Sequence, residues 1–103
     1  MSDEPATLLI ADDDPGLRES LERTLTREGY KVVLASDGNA ALERLQGGGI
    51  DLVLTDLKMP GLTGIEVLRA AKAIAPDVDV ILLTAFGTVE EAVKAMKEGA
   101  YDF

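Results

Sequence analysis

Asp51-Leu52-Val53-Leu54-Thr55-Asp56-Leu57-Lys58-Met59-Pro60-Gly61 is the stretch that decides the fold. Asp51 to Thr55 carries Leu52, Val53 and Leu54 in succession, the continuous apolar run expected of a strand buried on both faces of a parallel sheet. Asp56 follows where that strand should end, and Pro60-Gly61 punctuates a loop. Thr63 and Glu66 then stand at capping-box spacing ahead of a helix containing Ile65, Leu68 and Ala71. Strand, acidic end, loop and helix in this order make a βα unit.

The same pattern recurs on either side. Thr7 to Ala11 is an apolar run ending in Asp12-Asp13-Asp14-Pro15, where Asp14 suits a helix cap and Pro15 the first helical position. Leu17, Leu21 and Leu25 then mark one helix face, and Gly29 a stop. Lys31 to Ala35 starts a second unit, with a short helix from about Asn39 to Leu45 running into Gly47-Gly48-Gly49. A fourth strand is expected over Val78 to Thr84, with Val80-Ile81-Leu82-Leu83 buried on both faces. Thr88 and Glu91 repeat the capping box, and Val89, Val93 and Met96 make an apolar stripe that ends at Gly99. Alternating β and α patterns predict an α/β fold with a parallel sheet, right-handed crossovers and helices on both faces.

Composition narrows the function. With 103 residues, one domain is expected; with 47% hydrophobic but only 4% aromatic residues, its core must be Leu, Val, Ile and Ala. The 19 acidic against 10 basic residues give a formal charge of -9, which opposes direct contact with nucleic-acid phosphates or anionic lipid. Cysteine and histidine are both absent, so any metal chemistry falls to carboxylates. The polar start, Met1 to Thr7, lacks a signal-peptide pattern, and no apolar run approaches the ~18 residues of a membrane span, so a cytoplasmic location is expected.

In an open parallel sheet, functional groups collect at the carboxyl ends of the strands. Asp12-Asp13, Asp56 and Thr84 stand at such ends. Carboxylates brought into one crevice repel one another unless a cation offsets their charge, and Mg²⁺ takes oxygen ligands from few carboxylates, completing its shell with water and phosphate oxygens. Asp56 could then act as a nucleophile toward phosphorus, with Thr84 and the small Ala85 bringing a hydroxyl and a backbone N–H to the phosphoryl group. Singly, each residue has an ordinary explanation. Asp12-Asp13-Asp14 suits a solvated helix start, Asp56 a turn, Thr84 a strand terminus, Lys58 a loop charge, and Met59, Met96 and Phe103 packing.

Jointly, three blocks carry more. Leu9-Ile10-Ala11-Asp12-Asp13-Asp14, then Leu54-Thr55-Asp56-Leu57-Lys58-Met59-Pro60-Gly61 with Gly64, then Leu83-Thr84-Ala85 closely resemble the response-regulator receiver family, over nearly the whole chain. The resemblance implies a flavodoxin-like (CheY-like) fold in which Asp56 is the phosphoacceptor, Asp12 and Asp13 form the acidic pocket, and Asp13 is a direct Mg²⁺ ligand. The backbone carbonyl of Lys58 would be a further ligand and Thr84 the switch hydroxyl. The implied partner is a sensor histidine kinase or phosphotransfer protein that supplies the phosphoryl group from its phosphohistidine. Thr84-Ala85-Phe86-Gly87-Thr88-Val89 and Glu98-Gly99-Ala100-Tyr101-Asp102-Phe103 look most like the receivers of NtrC-type activators, which carry an ATPase and a DNA-binding output domain.

The family normally continues into a fifth strand and helix, whereas this sequence stops at Phe103. The family's fifth-strand lysine and aromatic switch residue are therefore absent, and Lys94 and Lys97 fall within the fourth helix pattern. A receiver domain over residues 1–103, truncated before its fifth strand, is expected to expose apolar surface around Val80 and Leu82 and to dimerise or exchange elements there. Two other functions compete. A phosphatase of the haloacid dehalogenase kind usually has a second Asp two residues after the nucleophile, where this chain has Lys58. A receiver-fold interaction or dimerisation module with impaired phosphorylation is favoured only by the absent lysine, since Asp12, Asp13, Asp56 and Thr84 all remain.

Overall fold

Apolar β-branched and leucine runs bounded by Asp, Gly and Pro fold as short strands, and amphipathic stretches between them fold as crossovers. In a computed structural model, described at residues 5–57, 59–83, 97, 99 and 100, the elements alternate along the chain. They are β1 (Thr7–Ala11), α1 (Pro15–Arg27), β2 (Lys31–Ala35), α2 (Gly38–Gln46), β3 (Leu52–Asp56), α3 (Gly64–Ile74) and β4 (Asp79–Leu83). The four strands form one sheet in the order β2-β1-β3-β4, every pair parallel. After β1 the chain steps outward to β2, then returns past β1 to β3. The strand order thus reverses between β1 and β3, which opens a crevice at their carboxyl ends.

Helix starts follow the local chemistry. Asp14 caps α1 by accepting from the N–H of Gly16 (2.9 Å) and Leu17 (3.4 Å), with Pro15 opening the helix. Gly29, at φ 98°, takes the left-handed conformation that ends this turn. The capping box at α3 is complete: the Glu66 N–H donates to Thr63 Oγ1 (3.3 Å), and the Thr63 N–H donates to Glu66 Oε1 (3.1 Å). α2 begins one residue earlier than its apolar pattern suggests, because Asp37 is the cap and accepts from the Ala40 N–H at 2.7 Å. β3 is displaced by one residue from the apolar run and takes in Asp56, which pairs in register with Leu83.

Alternation divides the sheet into two faces. Leu9, Ala11, Val53, Val80 and Leu82 pack with Ala41 and Leu45 of α2 and with Val67, Leu68 and Ala71 of α3 into the main core. Leu8, Ile10, Leu52, Leu54 and Ile81 alternate to the other side, where α1 lies across β1 and β2. That cover is incomplete among the described residues. α1 has no fully buried residue, Leu17 is 40% exposed, and an open groove of about 430 Å³ runs between Leu25 and Tyr30 on one side and Leu8, Leu52 and Leu54 on the other.

This division corrects the expectation for the fourth strand. Val80 and Leu82 are 0% and 1% exposed, sealed under α3, whereas Ile81 and Leu83 are only half-buried. A consecutive apolar run gives no sign of which alternate set is covered. Among the described residues no helix is long and apolar enough to cross a membrane. The expected fourth helix, together with Lys58, Thr84, Ala85, Met96 and Phe103, lies outside the described residues, apart from Lys97 and Gly99.

Candidate metal centre

β1 delivers the first two carboxylates. The Asp12 N–H donates to the Ala35 carbonyl (3.1 Å), which extends the β1–β2 ladder one residue past the strand and sinks Asp12 to 3% exposure. Asp13, next in the chain, is exposed. The Asp14 N–H donates to Asp12 Oδ1 (2.8 Å), and Arg18 Nη1 donates to the Asp12 carbonyl (2.6 Å). The turn from strand to helix is therefore tied from both sides of Asp12.

β3 delivers the third. Asp56 is half-buried at the strand's last position, and the Leu57 N–H still donates to the Leu83 carbonyl (3.2 Å). One carboxylate oxygen from each of Asp12, Asp13 and Asp56 lies within 4.8 Å of the others. Burial is the main reason that the Asp12 carboxyl is held above its ordinary value, followed by the charges of Asp56, Asp13 and Asp14. The N–H of Asp14 works in the opposite direction. An all-oxygen, strongly acidic donor set with one exposed member suits a hard divalent cation that keeps some of its water, and a cation there would relieve the repulsion that Asp12 registers.

The backbone behind Asp56 is held by residues that the sequence alone does not single out for this purpose. Thr55, fully buried, donates its hydroxyl to the Asp56 carbonyl (3.0 Å), with Met59 Sδ at 4.0 Å. Gly64 opens α3 directly against this segment: its N–H donates to the Leu57 carbonyl (2.8 Å), and a Cβ there would sit 2.3 Å from the Asp56 carbonyl oxygen and 2.8 Å from Leu57 Cα. Gly38 allows a similar close approach further from the crevice, since a Cβ on it would lie 2.2 Å from the Leu62 carbonyl oxygen. Gly61 turns the loop at φ 77° beside Asn39. In sequence, Gly38 following the cap Asp37 is the available sign, and the capping pattern hides it.

The structure thus brings Asp12, Asp13 and Asp56 together, while Lys58, Thr84 and Ala85 fall outside the described residues. Met59 is buried in the main core, in keeping with a packing role.

Known proteins share this arrangement of strands. The transcriptional regulatory protein GlrR of Escherichia coli (strain K12) is 42% identical over 103 residues, a span that covers all of this chain and 23% of GlrR. The chain therefore spans about a quarter of the length of that transcriptional regulatory protein. A crystal structure of a receiver domain protein from Clostridium thermocellum superposes with a TM-score of 0.89 at 37% identity, covering 94% of this chain and 79% of that one. A response regulator from Burkholderia pseudomallei, crystallised with a phosphorylated aspartic acid, a calcium ion and citrate, superposes with a TM-score of 0.89 at 27% identity, covering 94% of this chain and 57% of that one. The model of the response regulator receiver domain matches residues 8–103, so that the acidic strand ends, the reversed strand order and nearly the whole sequence fall within one signalling family: the chain belongs to the response regulator receiver domains.

Proposed function

We propose that Asp56 accepts a phosphoryl group, in a Mg²⁺-dependent reaction, from the phosphohistidine of a sensor histidine kinase or phosphotransfer protein in the cytoplasm. The single observation that carries this reading is the approach of the Asp12, Asp13 and Asp56 carboxylates to within 4.8 Å of one another at the crevice between β1 and β3. Mg²⁺ bound there supplies charge neutralisation between carboxylate and phosphoryl oxygens. An Asp56 oxygen attacks phosphorus, the phosphorus–nitrogen bond breaks, and the electron pair leaves with the donor imidazole. Asp13 and the Lys58 carbonyl would hold the ion with Asp56, and buried Asp12 would keep the pocket acidic. Thr84 and Ala85 follow the phosphoryl group with a hydroxyl and a backbone N–H, and the change in conformation controls an ATPase and DNA-binding output domain. The phosphorylated aspartic acid and calcium ion in the Burkholderia pseudomallei regulator support this chemistry for an acidic strand end of the same fold.

Incubation with a small-molecule phosphodonor and Mg²⁺, followed by intact mass, tests the reading. The expected result is a gain of one phosphoryl group, lost in Asp56→Asn and lost on chelation of Mg²⁺. Continuous turnover of a phosphate ester, or a gain that persists in Asp56→Asn, overturns it.

A second reading, an interaction or dimerisation module, draws on the outer edge of β4, which pairs with no strand among the described residues and carries half-buried Ile81 and Leu83. For the 103-residue polypeptide the expected result is a sedimentation coefficient that rises with concentration. A strictly monomeric species over a broad concentration range removes this second reading.

A further inference from the structure

Arg18 is placed where helix electrostatics do not favour it. It stands near the N-terminus of α1, close to the positive end of the helix, where the Asp14 cap is the acidic group on the first amides. The side chain is half-buried and turns back toward the strand end, where Nη1 donates to the Asp12 carbonyl at 2.6 Å, while the Arg18 N–H donates to the Asp14 carbonyl at 3.0 Å. The backbone bond is the first of α1 and is independent of the side chain, so the guanidinium itself holds the flank of Asp13 on the Asp12 side.

The gripped carbonyl belongs to the peptide unit whose nitrogen is that of Asp13. Fixing its plane fixes the N–Cα bond of Asp13 and leaves only rotation about that bond to set where the side chain leaves the backbone. Asp12 is held on its other side by the Ala35 carbonyl (3.1 Å) and by the Asp14 N–H at Oδ1 (2.8 Å). Exposed Asp13 has less packing to set its orientation, so the charge-assisted bond from Arg18 to the preceding carbonyl is a restraint directly beside it. From these contacts we infer that Arg18 is a positioning residue for the metal centre, a clamp that pre-orients Asp13 toward the space shared with Asp12 and Asp56. The inference rests on the Mg²⁺ reading given above.

Two physical effects of Arg18 oppose each other, which makes the inference decidable. A cation near the site repels Mg²⁺, so simple electrostatics predicts tighter binding once Arg18 is removed. A clamp predicts weaker binding. Arg18→Met keeps much of the apolar stem and removes both charge and donor, whereas Arg18→Lys keeps the charge and one donor on a slightly shorter stem. Titration with Mg²⁺ alone, followed by calorimetry, is expected to show a dissociation constant raised about tenfold in Arg18→Met, in the range typical of groups that orient a metal ligand, with most of the loss recovered in Arg18→Lys. In the metal-free chain, hydrogen exchange at the Asp14 amide is expected to be about tenfold faster in Arg18→Met, while amides in the middle of β1 and β3 are unchanged, as for loss of one charge-assisted bond. Equal or tighter Mg²⁺ binding by Arg18→Met, or an unchanged Asp14 exchange rate, overturns the clamp. If the parent chain binds no Mg²⁺, the metal half is overturned together with the reading beneath it, and the exchange comparison still decides whether Arg18 orders the turn.

Discussion

Gly64→Ala is expected to lower the thermal midpoint by roughly 15 °C and to weaken Mg²⁺ binding in whatever folded protein remains. The added methyl would meet the Asp56 carbonyl oxygen at 2.3 Å, Leu57 Cα at 2.8 Å and the Asp56 carbonyl carbon at 3.0 Å. All three are backbone atoms, so no flexible side chain can swing aside. Relief requires α3 to lift from the end of β3, which breaks the 2.8 Å bond from the Gly64 N–H to the Leu57 carbonyl and loosens Val67 and Leu68 above the sheet. Overpacking in a fitted interior costs about 1–3 kcal/mol, and a clash against backbone belongs at the upper end. For a domain of this size each kcal/mol shifts the midpoint by roughly 4–8 °C. Calorimetry measures the loss of stability. A Mg²⁺ titration well below the midpoint measures the second effect, because Asp56 is the residue displaced. A midpoint within a few degrees of the parent would show that β3 and α3 separate more easily than their packing implies.

Asp12→Asn is expected to stabilise the metal-free chain and to lower its Mg²⁺ affinity, two effects of opposite sign from one substitution. The carboxyl of Asp12 is held above its ordinary value of 3.8, first by burial and then by Asp56, Asp13 and Asp14. The folded chain therefore binds the Asp12 proton more tightly than the unfolded chain does. The stability associated with that proton is fully present below 3.8 and is lost as pH rises through the elevated folded value. Asparagine keeps an oxygen to accept the Asp14 N–H and carries no charge to bury. In a chelator, the difference in midpoint between Asp12→Asn and the parent should be small near pH 3.8, grow as pH rises in favour of the variant, and level off above the folded value. With Mg²⁺ in excess the advantage should shrink or reverse, because the ion offsets the same repulsion in the parent. A pH-independent difference would assign the effect to something other than this carboxyl.

Much of this molecule is legible in its sequence because its signals are local and chemically explicit. Asp14-Pro15 and the Thr63–Glu66 pair specify helix starts by hydrogen bonds that span three or four residues, and the strands β1 and β2 coincide with their apolar runs. The gathering of Asp12, Asp13 and Asp56 follows from the tendency of parallel strand ends to converge at the point where strand order reverses. What sequence does not display is tertiary in origin. Gly38 looks like an ordinary cap-adjacent glycine and Gly64 stands only as one letter of the family block, and the approach of the Leu62 and Asp56 carbonyls shows why a methyl cannot stand at either. Arg18 sits beside Leu21 and Leu25 on α1 and reveals its role only through the carbonyl that it reaches. The choice between Val80 with Leu82 and Ile81 with Leu83 as the covered pair depends on which face α3 occupies, which four apolar residues in a row do not encode.

The reversal of strand order also bears on kinetics. Asp12 and Asp13 belong to the end of the first strand, and Asp56 to the third, so the three charges meet only when β1 and β3 have paired along their full length, after the intervening βα unit has been laid down. Their repulsion is absent from any local structure and arises only with this long-range pairing. If the strand ends close after the transition state, the penalty speeds escape from the native state more than it slows arrival. In that case an ion in the crevice is expected to act chiefly as a brake on unfolding, measured as a slower unfolding rate with Mg²⁺ at a nearly unchanged folding rate.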